Sequence, residues 1–353
     1  MPNIAVLTSG GDSPGMNAAV MSVARAANLM GMSLIGIKRG FNGLIGKSGN
    51  LEEDIVRLTL DQVLDIADLP GTYLRTARCK EFILEEYQDK AVRLLEELDV
   101  AGIVVIGGDG SMQGAQALAR KGVPAIGIPG TIDNDLGYTE QSLGFDTAVN
   151  VCVDAVRAIR ATSRSHDRAA VVEVMGRNCG DIALNTALST GSEIVILPEI
   201  RNWSVDDVAN RLNALVDRGN KRATIVVAEG AWKTMAPFDV YGFMKDYDSG
   251  SRPVFPGSPM DAYFLARIVE NMVKKTEVRA TVVGYTQRGH QPSARDAAFA
   301  FEAGVVAVNL LKHGESNRVV GVHNGKVFHM DIESALQIKP SFNRRMYNMV
   351  NAL

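Results

Sequence analysis

Ile103-Val104-Val105-Ile106, running into Gly107-Gly108-Asp109-Gly110-Ser111 (residues 103–111), decides how this chain is read. Four β-branched residues in succession, without polar alternation, describe a strand buried on both faces. The glycines that follow allow a sharp turn, and a segment of helical period comes next. The same order recurs along the chain. Strand-like runs at Ile4–Thr8, Leu34–Lys38, Ala125–Ile128, Ala170–Met175, Ile194–Leu197, Thr224–Ala228 and Thr281–Gly284 alternate with amphipathic segments. The clearest helix begins at Ser204, with Asp207 as its capping-box partner and Gly219 as a stop. Its residues Val205, Val208, Leu212 and Leu215 share one face. Another helix is expected over Phe145–Ala161. Such alternation predicts an α/β fold with mostly parallel sheets covered by helices. Near the end, Val319–His323 and Lys326–Met330 flank Asn324-Gly325, which predicts an antiparallel hairpin.

Composition narrows the function classes. The 353 residues are 46% hydrophobic, and 37 basic against 40 acidic side chains leave a net charge of −3. That balance speaks against a strongly basic nucleic-acid binder and against a disordered chain. The length predicts about two domains. No Ser- or Pro-rich linker divides the sequence, so two domains would share interwoven segments. No run of 18 apolar residues is present, and no membrane partner is expected. The chain enters a strand-like run directly after Met1-Pro2-Asn3, so no signal peptide is expected. Cys79, Cys152 and Cys179 are too few and scattered for a disulfide framework or zinc site. The expectation is a soluble protein of a reducing compartment, the cytoplasm. Lys233–Asp261, rich in Pro and aromatics, is the least regular stretch and reads as a surface excursion, lid or interface segment.

Ligands of open α/β sheets bind beyond the carboxyl ends of the strands, so four loops carry the functional argument. In Leu7–Asn17, the pair Gly10-Gly11 before a helix suits either a tight turn or a phosphate cradle. The loop is neither Gly-x-Gly-x-x-Gly nor a Walker loop. In Ile106–Ser111, Asp109 either caps the next helix or holds Mg²⁺ beside bound phosphate. In Pro129-Gly130-Thr131-Ile132-Asp133-Asn134-Asp135, the two aspartates offer a general base, or else an ordinary Asx-turn. In Met175-Gly176-Arg177-Asn178-Cys179-Gly180, Arg177 opposes the usual preference for acids at a helix start, which points it toward an anion. Arg78, Arg168, Arg279 and Arg288 are further basic candidates near strand ends or in polar loops. Phosphate cradles, a magnesium-type aspartate, a candidate base and several arginines together fit phosphoryl transfer, which needs positioning and charge neutralisation above all. The five histidines show no metal-ligand spacing.

In this order, Leu7–Asn17, Gly107–Ser111, Pro129–Asp135, Val171–Arg177 and Gln287-Arg288-Gly289 resemble the 6-phosphofructokinase family, over nearly the whole chain. The resemblance implies two three-layer α/β/α, Rossmann-like domains with mostly parallel sheets, interleaved in sequence. Residues 1–142 plus about 288–317 would bind nucleotide, and about 143–287 plus 318–353 the sugar phosphate. It implies transfer of the γ-phosphoryl group of ATP to the 1-hydroxyl of fructose 6-phosphate, with Mg²⁺ as cofactor on Asp109. Gly10, Arg78, Cys79, Gly108, Asp109, Gly110 and Ser111 would line the nucleotide site. Asp133 would take the proton from the attacking hydroxyl, with Thr131 and Arg177 as further catalytic residues. Met175, Gly176, Arg177, Glu229, Tyr285 and Arg288 would complete the sugar pocket. Arg168 and Arg279 match arginines that the family contributes across a subunit contact, implying a homotetramer or dimer with shared sites.

The family's pyrophosphate users carry Asp at the place of Gly110 and Lys at that of Gly130. Two unit charges about 4 Å apart repel by roughly 4 kcal/mol at an effective dielectric of 20, so glycine at 110 favours ATP. Three departures from the family pattern stand out. Tyr285 replaces a histidine, Arg75 replaces a glycine, and Met21 and Leu60 replace arginines of the bacterial effector site, where Arg25 and Lys221 remain. Weak or absent allosteric regulation by ADP and phosphoenolpyruvate is the expectation. A pyrophosphate-dependent enzyme, a kinase of another ketose phosphate such as sedoheptulose 7-phosphate, and a non-catalytic nucleotide-binding regulator stand as alternatives.

Overall fold

The computed structural model describes residues 2–238 and 260–352. Most of the excursion expected at Lys233–Asp261 lies outside these residues. The chain divides into two compact units, Met1–Ala148 with Arg288–Ser341, and Val149–Gln287 with Phe342–Leu353.

The first unit is built on strands β1 (Asn3–Ser9), β2 (Ser33–Ile37), β3 (Ile55–Leu58), β4 (Val100–Gly107) and β5 (Ala125–Pro129). Its second contribution comes from far along the chain. The second unit holds β6 (Ala169–Val174), β7 (Ile194–Ile196), β8 (Thr224–Ala228) and β9 (Val278–Val282), and the chain then returns to the first with β10 (Arg318–His323) and β11 (Lys326–Asp331). The seven strands of the first sheet lie in the order β11-β10-β5-β4-β1-β2-β3. The interior pairings are parallel, and the two edge strands, β3 and β11, run antiparallel to their neighbours.

Side-chain alternation makes three layers of this unit. Ile4, Val6, Val104 and Ile106 face the helices Met16–Leu29 and Ala294–Lys312, meeting Val20, Val23, Phe299 and Ala303. Ala5, Leu7, Ile103 and Val105 face the other way, onto Leu95, Met112 and Leu118. Both faces of β1 and β4 are therefore buried, which is why these strands read as unbroken apolar runs.

In the second unit all pairings of the order β7-β8-β6-β9 are parallel. The helix Ala262–Val273 packs on β9 and β6 and against the helix Val205–Asp217, while Asp181–Thr190 packs on β7 and β8. Ser204 caps its helix as expected, in a full capping box with Asp207. The α/β architecture with mostly parallel sheets agrees with the expectation.

Several boundaries differ. Strand β3 was not anticipated; it is a short antiparallel edge strand directly after the acidic turn Leu51–Asp54. Strand β9 ends at Val282 rather than Gly284, which begins a 3-10 turn with φ +57°. As the edge of its sheet it exposes Arg279, Thr281 and Val282, so it lacks a continuous apolar signature. The helix from Phe145 continues to His166. The hairpin forms at Asn324-Gly325, both residues with positive φ. However, the sequence reading placed 318–353 with the second domain. Hydrogen bonding of β10 to β5 instead puts Arg318–Ser341 in the first unit, along with 143–148.

Candidate active site

The register of the first sheet sets three loops side by side. Ser9 pairs with Gly107, and Gly107 with Pro129, so β1, β4 and β5 end level. A cleft of about 880 Å³ opens beyond them. Gly10, Arg78, Cys79, Gly108, Asp109, Gly110, Ser111, Thr131, Asp133 and Arg288 all line it. Each nucleotide-site residue expected from the sequence is therefore in one place.

Close packing explains the glycines. A Cβ at Gly107 would strike the Ser111 hydroxyl and the Ser9 carbonyl. Gly10 has φ +91°, a conformation side chains rarely adopt. At Gly110, by contrast, an added Cβ meets nothing within 4 Å, so the backbone there faces open space. Gly130 is confined: a Cβ would lie 3.0 Å from Met16 Cε and 3.3 Å from the amide of Gly107.

Asp109 does not cap the helix it begins. The N-cap is Gly108, without a side-chain cap, and Asp109 is the first helical residue. Its Oδ2 accepts a hydrogen bond from Gln113 Nε2 at 2.6 Å. Asn134 ties down the loop 130–135. Asn134 has φ +54°, its Oδ1 accepts from the amide of Ser142 at 2.9 Å, and Ser142 Oγ donates to the Thr131 carbonyl at 2.6 Å. The amide of Asp133 donates to Thr131 Oγ1 at 3.2 Å. Asp133 and Asp135 are thereby presented to the cleft. Burial pushes the Asp135 carboxyl above its ordinary range, and the negative charges of Asp133 and then Asp109 add to this. The three carboxylates thus share one electrostatic environment. Burial also raises the Cys79 thiol, which marks it as a packing group rather than a nucleophile.

Arg288 reaches the cleft from the start of the returning segment. Its Nη1 donates to the Asp12 carbonyl at 2.8 Å and lies 3.7 Å from that residue's carboxylate.

In the second unit, the expected sugar-site residues fall at opposite ends of the strands. Met175, Gly176 and Arg177 follow β6, Glu229 follows β8, and the turn Gly284–Gln287 follows β9. These exits meet. The Gly230 amide donates to the Gly176 carbonyl at 3.2 Å, and a Cβ on Gly230 would strike the Arg177 carbonyl. Arg177 and Tyr285 are exposed, Tyr285 to 83%. Arg168 and Arg279 lie at the amino ends of β6 and β9, where each donates to Glu277 Oε2 at 2.8 Å. Six residues of strand, about 20 Å at 3.3 Å per residue, separate Arg168 from Met175. One chain does not bring these two groups together.

Sequence reasoning assigned no role to Gln287, Asn134 or Asp296. Gln287 is fully buried; its Oε1 accepts from the Met175 amide and the Cys152 thiol, both at 3.1 Å. The same burial pushes Cys152 up to about 12. Asp296, also fully buried, accepts from Gly144 at 3.0 Å, from the Thr147 amide at 2.8 Å and from Gln141 at 3.1 Å. Gln287 stood inside a quoted motif, but nothing in sequence separates a residue that holds a loop from one that binds a ligand.

The comparisons with known proteins point to one family. The phosphofructokinase family model matches residues 3–311. The ATP-dependent 6-phosphofructokinase of Clostridium tetani (strain Massachusetts / E88) is 45% identical over 353 residues, covering 100% of this chain and 99% of that protein. That of Alkaliphilus metalliredigens (strain QYMF) is 43% identical over 355 residues, with the same coverage. The phosphofructokinase structure from Saccharomyces cerevisiae superposes with a TM-score of 0.82 at 26% identity. It covers 99% of this chain, which spans half the length of the yeast chain. A glycine-and-aspartate cleft of this arrangement and a family match along most of the sequence lead to one conclusion: this chain belongs to the phosphofructokinase family.

Proposed function

We infer that the protein is an ATP-dependent 6-phosphofructokinase, a phosphotransferase that moves the γ-phosphoryl group of ATP to the 1-hydroxyl of fructose 6-phosphate in glycolysis. The observation that carries this reading is the convergence of Asp109, Thr131 and Asp133 with the Gly10 and Gly108–Ser111 backbone in one cleft. The open space over Gly110 suits a nucleotide, which an aspartate at that place would repel. Gly130 has no room for the lysine of pyrophosphate users without displacing Met16 or Ile106.

In the proposed mechanism, Asp133 accepts the proton of the 1-hydroxyl as that oxygen bonds to the γ-phosphorus. The bond from γ-phosphorus to the bridging oxygen breaks, and ADP leaves with the electron pair. Thr131 orients the loop and the reacting groups, and Arg177 offsets charge on the moving phosphoryl group. Gly10, Arg78, Cys79, Gly108, Gly110 and Ser111 hold the nucleotide.

The site suits Mg²⁺ by the chemistry of its donors. Asp109 offers a carboxylate not used as a cap, beside amides that suit phosphate, and Mg²⁺ takes one or two carboxylates plus phosphate oxygens. Bound there, Mg²⁺ would neutralise charge on the phosphates.

Met175, Gly176, Arg177, Glu229, Tyr285 and Arg288 would bind the sugar phosphate. Arg168 and Arg279, at the amino ends of their strands, would serve a neighbouring subunit, so we propose a homo-oligomer, dimer or tetramer, with shared sites. In the place of the bacterial effector arginines, Met21 and Leu60 pack against the apolar core, which supports weak or absent allosteric regulation. Cys79, Cys152 and Cys179 form no disulfide with one another, which fits a cytoplasmic setting.

Tyr285 favours one second reading, a different ketose phosphate as acceptor. A coupled assay crossing ATP and pyrophosphate with fructose 6-phosphate and sedoheptulose 7-phosphate tests both readings. Turnover with ATP and fructose 6-phosphate is expected to dominate. A strong preference for pyrophosphate or for the seven-carbon sugar would replace the assignment, and no turnover with any pair would favour a regulator.

A further inference from the structure

We propose that Glu173, inside β6, is a positioning residue that sets the acceptor-site loops and so governs affinity for the sugar phosphate. This rests on the functional reading above.

Glu173 interrupts an otherwise apolar strand, Ala-Ala-Val-Val-Glu-Val, two residues before Met175. Its Oε2 accepts from Trp232 Nε1 at 3.1 Å and from the Ala262 amide at 3.2 Å. Trp232 belongs to the 3-10 turn Glu229–Lys233, whose first residue is Glu229. That turn is therefore pinned twice, by the Gly230 amide on the Gly176 carbonyl and by the Trp232 ring on Glu173. The Glu173 carbonyl accepts from the Val283 amide at 3.0 Å, immediately before the turn that carries Tyr285. Ala262 opens the helix Ala262–Val273, capped by Asp261 through the Phe264 amide at 2.7 Å.

One residue thus joins the exits of β6, β8 and β9. A carboxylate is a poor choice there for stability alone. Burial pushes it above the ordinary range, and the charges of Asp261 and Glu229 oppose its ionisation further. A carboxylate that breaks the apolar pattern of a strand and satisfies donors from two further elements marks a functional requirement.

The test compares the native enzyme with Glu173→Ala, Glu173→Gln and Trp232→Phe. Steady-state kinetics are read for both substrates, and tryptophan emission is read without ligand in a Trp203→Phe background. Glu173→Ala is expected to raise KM for fructose 6-phosphate about tenfold, with kcat and KM for ATP held within about twofold. Emission from Trp232 should shift. Glutamine keeps an oxygen acceptor for both donors, so Glu173→Gln should restore both readouts. Trp232→Phe removes the donor instead and should reproduce the KM effect, which keeps the test open if the alanine variant does not fold. An unchanged KM in Glu173→Ala or Trp232→Phe, or a glutamine variant as impaired as alanine, overturns the positioning role while native turnover stands. Absence of turnover in the native chain overturns the functional reading, and this proposal with it.

Discussion

The Nη1 atom of Arg288 lies 2.7 Å from the point where a Cβ on Gly11 would stand. The glycine makes room for the guanidinium, which in turn donates to the carbonyl of Asp12. Gly11→Ala should therefore displace the far end of a flexible side chain without stressing the backbone. Thermal stability is expected to change by less than about 0.5 kcal/mol. By contrast, kcat/KM for fructose 6-phosphate should fall about tenfold, the loss of one charge-assisted contact. Melting curves run alongside initial rates separate the two.

Asp133→Asn should keep the loop, because Asn134 and Ser142 hold it. Loss of a positioned base is expected to cost about 10²–10⁴ in kcat. Calorimetric titration with ATP should show binding retained. A variant that turns over like the native enzyme would remove Asp133 from its role as base.

The raised carboxyl of Asp135 ties stability to pH. Its folded state holds the proton more tightly than the unfolded chain, so its stabilising contribution is complete below the ordinary carboxylate range. That contribution is lost as pH rises through the folded value, where a half-buried negative charge faces Asp133 and Asp109. Asp135→Asn should accordingly melt at a higher temperature than the native protein near neutral pH. The difference should shrink as pH falls toward the ordinary carboxylate range, because the raised carboxyl takes up its proton before that range is reached. Scanning calorimetry across this range checks the sign.

Arg75 has φ +57°, in the left-handed region, and its carbonyl accepts from Thr8 Oγ1 at 2.7 Å. Such a conformation costs a residue with a Cβ about 1–2 kcal/mol. Arg75→Gly keeps the carbonyl and removes that cost, partly offset by the greater freedom of glycine when unfolded. A net gain of about 1 kcal/mol is expected in urea unfolding.

Strands whose faces are both buried were legible in sequence, as at Ile103–Ile106, because the same apolar requirement applies to every position. Edge strands were legible only in part: β7 and β11 were, while β3 and β9 were not. β9 was misplaced and β3 missed because residues at a sheet edge alternate irregularly between packing and exposure. The loops were legible because glycine and aspartate are chemically unambiguous at strand ends. Which aspartate caps, which residue stitches and which faces the cleft depended on partners far along the chain, such as Ser142 for Asn134.

The order of amino acids alone determined an α/β chain with phosphate-type loops at the ends of β1, β4, β5 and β6, since local turns and apolar runs carry that information. Only the tertiary structure decided that Asp109, Asp133 and Arg288 share one cleft, that β10 and β11 complete the first sheet, and that Arg168 and Arg279 sit at the opposite strand ends from Arg177. Strand register and hydrogen bonds between distant segments set those positions, and neither is written in any single stretch of sequence.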